Sequence, residues 1–258
     1  MKYFFFDIDG TILNPRSGLI SPLLIEAFKL LKAKGHRLFI CTGRHKCILD
    51  PRIQDLAFDG YVLANGAYVI FEGKLIKEYY FPTKVIKQLV LDKNDDFIYY
   101  LEDAQNIYTN DLNNPLHLEF KNDWAIPDVY KDNLIDFNHH FHIGMFAYKN
   151  EDSFKRLSKD YPDIELIKHR EYNSCDINVK GINKASGIKA LIDYLNIDLK
   201  DTIAFGDGLN DLEMLELVHD SVAMGNAEAK LKEVAKYVTD DLDNDGVYKF
   251  LKRKGYLD

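Results

Sequence analysis

The sequence predicts an α/β fold, a doubly wound and mostly parallel sheet, with an α+β domain inserted into it. Three observations carry this expectation. Short apolar strands alternate with amphipathic helices up to about residue 82. The same alternation returns after Gly181, and the stretch between is strand-rich and irregular. At 258 residues and 47% hydrophobic, the chain can form one large domain or two modest ones around a packed core. The predicted layout is a first core piece at residues 1–82, an inserted domain at 83–181 and a second core piece at 182–258.

Lys2–Ile8 reads as a short buried strand, followed by a polar loop with Asn14, Pro15 and Gly18. Ser21 as N-cap and Pro22 at the first helical position announce a helix. Its apolar face is Leu23, Leu24, Ala27, Leu30 and Leu31, and Gly35 stops it. Arg37–Gly43 is a second strand, Lys46–Ala57 a second helix, and Tyr61–Phe71 and Lys74–Phe81 are strands about a Glu72-Gly73 turn. In the insertion, helix Lys84–Leu91 precedes strands in DFIYYLED and NIYTND and a loop-rich stretch at Asn113–Asp128. HFHIGMFAY, a helix near Glu151–Asp160, IELIKH and SCDINVK follow. The last piece reads as helix Lys184–Leu195, strand Asp201–Phe205, helix Leu209–Leu217, strand Asp220–Ala223, helix Ala227–Val234 and a terminal helix over Val247–Lys254.

Composition excludes several classes of function. The net charge is −8 with no long Lys/Arg block, so nucleic acid is not the expected partner. No apolar run approaches about 18 residues, so no membrane span is expected. Cys41, Cys47 and Cys175 are odd in number and lack CxxC spacing, which argues against a disulfide framework or zinc site. Asp7 stops the opening aromatic run far short of a signal sequence, and a cytoplasmic location is expected. Oligomeric state is not readable from the chain.

In an open parallel sheet, ligands bind outside the carboxyl ends of the strands. Three predicted strands here end in polar residues: FFFDIDGT gives Asp7 and Asp9, LFICTGR gives Thr42, Gly43 and Arg44, and TIAFGDGLND gives Asp207, Asn210 and Asp211. Four carboxylates gathered at one edge would repel one another, and a hard cation such as Mg²⁺ relieves that while keeping places for phosphate oxygens. The Thr42 hydroxyl, the Gly43 amide and the lone Lys184 ammonium suit an anionic phosphoryl group. The residues alone thus point to Mg²⁺-dependent phosphoryl chemistry.

DIDGT, TGR, Lys184 in GINKASG, and GDGLND, in that order, resemble the four motifs of the haloacid dehalogenase superfamily of phosphatases. ANGA (Ala64–Ala67), VAMGNA (Val222–Ala227), DNDGV (Asp243–Val247) and the long insertion are similar to its Cof-type sugar-phosphatase branch, type IIB, with a large α/β cap on a Rossmann-like core. The resemblance implies a phosphatase for a small phosphorylated metabolite, a sugar phosphate foremost, working through an aspartyl-phosphate. It implies Asp7 as nucleophile and Asp9 as acid and base. It implies Mg²⁺ held by Asp7, the Asp9 carbonyl and Asp207, with Asp211 binding or orienting nearby. Thr42, Gly43, Arg44, Lys184 and Asn210 would bind substrate phosphate. Asp176, Asn178 and Lys180 in SCDINVKG are candidates for facing the leaving group.

Two other readings share these residues: a phosphomannomutase-like phosphotransferase and a non-catalytic phospho-acceptor or sensor. The latter needs neither this length nor a second Asp. Asp241, Asp243, Asp245 and Gly246 imitate half of an EF-hand, but Lys252 stands where the bidentate Glu belongs, so a polar loop is expected. His139, His140 and His142 read as ordinary strand positions, Cys41 as core, and Trp124 as packing.

Overall fold

Phe4, Phe5 and Phe6 are wholly buried in the first strand, β1 (Tyr3–Phe6), and they decide how the surrounding layers pack. The computed structural model describes residues 1–56, 58–92, 95–118, 129–169 and 172–258; Ala57, Trp124 and most of the Asn113–Asp128 stretch lie outside these. Alternation along the strand sends Phe4 and Phe6 to one face and Phe5 to the other. Phe6 meets Phe28 of helix Pro22–Ala33, and its neighbour Phe205 meets Phe250 of helix Gly246–Arg253. On the opposite face, Phe5 stacks on Phe39, Phe39 on Phe71, and Phe71 lies edge-on to Tyr194 of helix Lys184–Leu195. Helices therefore cover both faces, which makes the sheet doubly wound as expected.

Contacts divide the chain into two compact units. One holds Met1–Gly43, Asp50–Lys77 and Asn183–Asp258; the other holds Arg44–Leu49 and Glu78–Ile182. The first unit's sheet takes β1, β2 (Arg37–Cys41), β3 (Gly60–Leu63), β4 (Tyr68–Phe71) and β5 (Lys74–Glu78) from the early part of the chain. The second unit's strands are β6 (Phe97–Glu102), β7 (Ile107–Thr109), β8 (Val129–Lys131), β9 (Ile143–Tyr148), β10 (Ile164–Lys168) and β11 (Ser174–Val179). β12 (Thr202–Gly206), β13 (Asp220–Ala223) and β14 (Tyr237–Val238) return to the first sheet. Its order is β14-β13-β12-β1-β2-β3-β4-β5, parallel from β14 through β3. Strand order reverses at β1, so the loops after β1, β2 and β12 meet at the switch point.

The second unit is a six-stranded sheet of order β10-β11-β9-β6-β7-β8, antiparallel apart from the β7–β8 pair. Helix Thr83–Leu91 supplies Val85, Ile86 and Leu89, and helix Glu151–Asp160 supplies Leu157, to a core with Phe97, Tyr99, Leu101, Phe146, Tyr148 and Ile177. The alternate residues Ile98, Tyr100 and Ala147 form a second cluster, against which Cys47 and Ile48 pack. Helices gathered on one face of an antiparallel sheet make this unit α+β. Among the described residues no helix is long and apolar enough to cross a membrane.

Several predicted elements differ. Tyr61–Phe71 is not one strand but the hairpin β3–β4, reversed at Ala64-Asn65-Gly66, all three with positive φ. The predicted helix Lys46–Ala57 is a 3-10 turn at Lys46–Ile48 and a short helix at Pro51–Gln54, because Pro51 holds Asp50 out of helical geometry. His139, His140 and His142 precede β9 and do not lie on it. Strand β1 ends at Phe6, so Asp7 and Asp9 stand beyond it, in the loop.

Candidate active site

Register sets the depth of each side chain. Phe6 pairs with Ile40 on one side and Phe205 on the other, so Asp7 leaves the sheet beside Cys41 and Gly206. Asp7 N–H still donates to the Phe205 carbonyl at 3.0 Å, which holds the first turn of the loop against β12. Thr42 and Asp207 follow one residue further out, on either side. Asp7 is buried, 6% exposed, and this burial is the main reason its pKa stands well above the ordinary carboxylate value. Lys184 opposes that shift, while Asp211, Asp207 and Asp9 add to it.

Lys184 is the cation at the centre. It is wholly buried, yet its Nζ donates to Asp7 Oδ1 at 2.7 Å and to Asp211 Oδ1 at 2.5 Å. Burial would pull its pKa down, but Asp211 and Asp7 together raise it, so it stays charged. Its place is set by a capping box: Asn183 accepts from Ser186 N–H, and Asn183 N–H donates to Ser186 Oγ at 2.9 Å. The hairpin at Ala64–Gly66 fixes the same helix start. A Cβ on Gly66 would lie 2.0 Å from the Asn183 carbonyl, and one on Gly187 would overlap Val62 and Gly66, so only glycine allows this approach.

Asp211 is fully buried with both oxygens committed. Oδ1 takes Lys184, and Oδ2 accepts the N–H groups of Asp207 and Gly208, each at 3.0 Å. This defines a brace for the Asp207 backbone and for the ammonium. Asp207 itself is only half-buried, and its pKa is raised to about 7, chiefly by burial and then by Asp211, against Lys184 and the Thr11 hydroxyl. Thr11 Oγ1 donates to Asp207 Oδ1 at 3.3 Å, and Asn226 Nδ2 donates to Asp207 Oδ2 at 3.3 Å and to the Gly10 carbonyl at 2.9 Å. Gly10, at φ +83°, has Asp207 Oδ2 only 2.1 Å from where a Cβ would sit.

Thr42 is buried; its N–H donates to the Val62 carbonyl and its own carbonyl accepts from Asn65 N–H at 3.1 Å. Asn65, in left-handed geometry, accepts through Oδ1 from Asn210 Nδ2 at 3.2 Å, and the same oxygen borders Gly43. One set of contacts therefore links the β2, β3 and β12 loops. Arg44 belongs to the second unit, although it follows Gly43 directly. Thr11, Asn65 and Asn226 escaped the sequence reading as individual site residues. Each lies inside a stretch that stood out, DIDGT, ANGA and VAMGNA, but its partner was not readable.

Other candidates are engaged elsewhere. Asp243 accepts from Asn14 Nδ2 at 2.6 Å and Asp245 from the Ser21 hydroxyl, so this loop is tied to the segment after β1. A Cβ on Gly246 would lie 2.0 Å from the Asp240 carbonyl. Cys41 is wholly buried, and burial pushes its thiol pKa up, away from nucleophilic use. In the second unit, Asp176 takes His169 Nε2 at 3.0 Å, Lys180 donates to the Pro162 carbonyl at 2.8 Å, and Asn178 is buried.

Carboxylate oxygens of Asp7, Asp207 and Asp211 all lie within 4.8 Å of one another. The Asp7 and Asp207 carboxylates, both with raised pKa values, are hard donors that fit a small hard divalent cation, with Asp211 bracing them from behind. Carboxylates around a buried ammonium, at the switch point of a parallel sheet, define a phosphoryl-handling enzyme of the α/β class. The chain belongs to the haloacid dehalogenase-like hydrolases, whose family model matches residues 4–251. It is 33% identical over 263 residues to a candidate phosphatase of Bacillus subtilis, YkrA, covering 99% of this chain and 98% of that one. Pyridoxal phosphate phosphatase YbhA of Escherichia coli is 29% identical, with 95% of each chain covered. The solved structure of the subclass IIB sugar phosphatase BT4131 superposes with a TM-score of 0.85 at 30% identity, covering 99% of this chain and all of that one. The protein is a phosphatase.

Proposed function

We propose that the chain hydrolyses the monoester of a small phosphorylated metabolite, a sugar phosphate foremost, with Mg²⁺ and through a phosphorylated Asp7. The observation that carries this reading is the Asp7 carboxylate, buried and held at one oxygen by Lys184, with Asp207 and Asp211 beside it. The other Asp7 oxygen is available to attack phosphorus, forming the O–P bond as the bond to the leaving alkoxide breaks. Asp9 gives that alkoxide its proton, then takes one from the water that cleaves the phosphoryl–Asp7 bond. Lys184, kept charged by its carboxylates, offsets charge building on the phosphoryl oxygens, aided by the Thr42 hydroxyl, the Gly43 amide and Asn210. Asp211 acts through Lys184 and the Asp207 backbone. Asp7, Asp207 and the Asp9 carbonyl would hold Mg²⁺, which supplies charge that keeps the two carboxylates ionised and draws on the phosphoryl oxygens.

The sugar preference rests on likeness to the sugar phosphatase; the pyridoxal phosphate relative makes that ester the second substrate to try. A phosphate-release screen over hexose phosphates, pyridoxal phosphate, flavin mononucleotide and nucleotides is expected to give Mg²⁺-dependent turnover on one of these classes. An isomerised sugar phosphate in place of free phosphate would make the enzyme a phosphotransferase.

Mg²⁺ should also stabilise the fold in a pH-dependent way. Asp7 and Asp207 have raised folded-state pKa values, so without metal the folded state loses stability as pH climbs from the ordinary carboxylate range towards about 7, where Asp207 ionises. The Asp207 share of that loss is complete above this pH, and Mg²⁺ reverses it. The gain in melting temperature on adding Mg²⁺ is expected to be small near pH 5 and largest above about pH 7. An equal gain at both pH values would count against carboxylate binding at this site.

A further inference from the structure

Asn226 takes no part in the proposed chemistry, yet its side chain joins two loops that the proposed cation would need. The ladder between β1 and β12 ends at the pair Phe6 and Phe205. Past that pair, side chains tie the loops together. Thr11 Oγ1 donates to Asp207 Oδ1 at 3.3 Å, and Asn226 Nδ2 donates both to Asp207 Oδ2 at 3.3 Å and to the Gly10 carbonyl at 2.9 Å. The Asp207 carboxylate is thus held at both oxygens. The Gly10 carbonyl stands one peptide bond after the Asp9 carbonyl. All of these residues lie in the first unit.

Asn226 is exposed, and an exposed amide ordinarily turns freely. This one does not, because its backbone and its oxygen are also fixed. Gly225 N–H donates to the Asp240 carbonyl at 3.1 Å and Glu228 N–H to the Asp207 carbonyl at 3.0 Å, which pins the turn on either side. A Cβ on Gly225 would lie 2.2 Å from Asp241 Oδ1, so the turn packs directly on the loop at residues 240–246. From that loop, Leu242 N–H donates to Asn226 Oδ1 at 2.9 Å. A backbone N–H only donates, and a carbonyl or carboxylate only accepts, so a single orientation of the amide satisfies all three partners. The loop is itself anchored, Asp243 by Asn14 and Asp245 by the Ser21 hydroxyl. The DNDGV stretch and the residue before it therefore hold Asn226 from behind.

We propose that Asn226 is a positioning residue for the cation: it fixes the span between the backbone at Asp9 and Gly10 and the Asp207 carboxylate, and so favours Mg²⁺ over Ca²⁺. This deepens the proposed function and rests on Asp207 and the Asp9 carbonyl holding the metal. Mg²⁺ needs its oxygens at about 2.1 Å in a strict octahedron, whereas Ca²⁺ accepts about 2.4 Å and a looser arrangement. A span held by a bridging amide suits the smaller ion. Cutting the bridge lets the two loops part, which Ca²⁺ tolerates better than Mg²⁺ does.

Calorimetric titration of the full chain, stripped of metal, with MgCl₂ and with CaCl₂ at pH 8 tests this. Asp207→Asn, titrated alongside, identifies any binding elsewhere on the chain. Asn226→Ala is expected to weaken Mg²⁺ binding about tenfold, the scale for a partner behind a metal ligand, and Ca²⁺ binding by less than about threefold. Leu242→Pro leaves the amide in place and removes only the N–H that holds it. Asp241, at ψ 159°, already has the extended geometry that a following proline requires. This variant is expected to weaken Mg²⁺ about threefold and to leave Ca²⁺ unchanged. Native Mg²⁺ affinity in Asn226→Ala, or equal losses of the two ions, overturns the bridge; should that variant not fold, the same results in Leu242→Pro overturn it. Native Mg²⁺ affinity in Asp207→Asn overturns instead the metal site on which the bridge rests.

Discussion

Asp7→Asn is expected to lower phosphate release at least about a thousandfold while leaving the fold intact or firmer. The amide cannot form the phosphoryl bond proposed for the carboxylate. Its oxygen can still accept from Lys184 Nζ at the Oδ1 position, so the buried ammonium keeps two partners. The substitution also removes the charge whose burial and whose neighbours Asp211, Asp207 and Asp9 drive its pKa up. Stability without metal should therefore hold or rise, a trade between function and stability seen where like charges are held together for chemistry. Initial rates and thermal melts of the two proteins, without metal and with Mg²⁺, check both halves. Full turnover by Asp7→Asn would sink the proposed mechanism, and a collapsed melt would show that Asp7 is needed to hold the sheet edge.

Lys184→Met should fail in both respects. Methionine fills most of the volume but leaves Asp7 and Asp211 facing each other without the cation that lies 2.7 and 2.5 Å from them. Removing one partner of a buried ion pair typically costs about 3–5 kcal/mol, because the remaining charge is stranded. Loss of the positive charge near the phosphoryl group adds at least about a hundredfold in rate. The stability loss has a sign that can be checked. Without Lys184, which holds it down, the Asp7 pKa rises further, so the penalty applies in full at high pH, where that carboxylate must ionise. It fades as pH falls and Asp7 takes up a proton. A variant whose melting temperature matches the native protein at pH 8 would show that the ammonium does not hold this cluster together.

The core site was legible because each part of it is local: an apolar strand, then one or two polar residues, three times over. Burial at the switch point turns those separate endings into one place, and Asp7, Lys184, Asp207 and Asp211 do meet there. Asn65-Gly66 between two apolar runs is a hairpin signal that the reading of Tyr61–Phe71 as one strand passed over, and β3 and β4 reverse there. Positive φ at Ala64 and Asn65 is a cost set by the approach of the Lys184 helix, which no short window contains. The same holds for Asn226, whose amide joins Gly10 to Asp207 across the chain. Arg44 illustrates another limit. Its place in TGR reads as continuous with Thr42 and Gly43, yet contacts group it with Cys47 and Ile48 on the second unit.

Because β1 pairs on one side with β12, Tyr3 against Thr202, the centre of the sheet cannot close until some two hundred residues separating them have been made. On a ribosome, the strand that leads into Asp7 is made well before its partner strand, which leads into Asp207 and Asp211. The second unit, by contrast, draws nearly all its sheet from one continuous stretch and has its pairing partners in hand much earlier. Contacts between distant parts of a chain carry the highest entropic cost and form slowly. Synthesis therefore imposes an order of events in which the cluster of Asp7, Lys184, Asp207 and Asp211 comes together after the second unit's sheet, and a nascent chain shorter than about Gly206 exposes Phe4, Phe5 and Phe6 with one neighbouring strand missing.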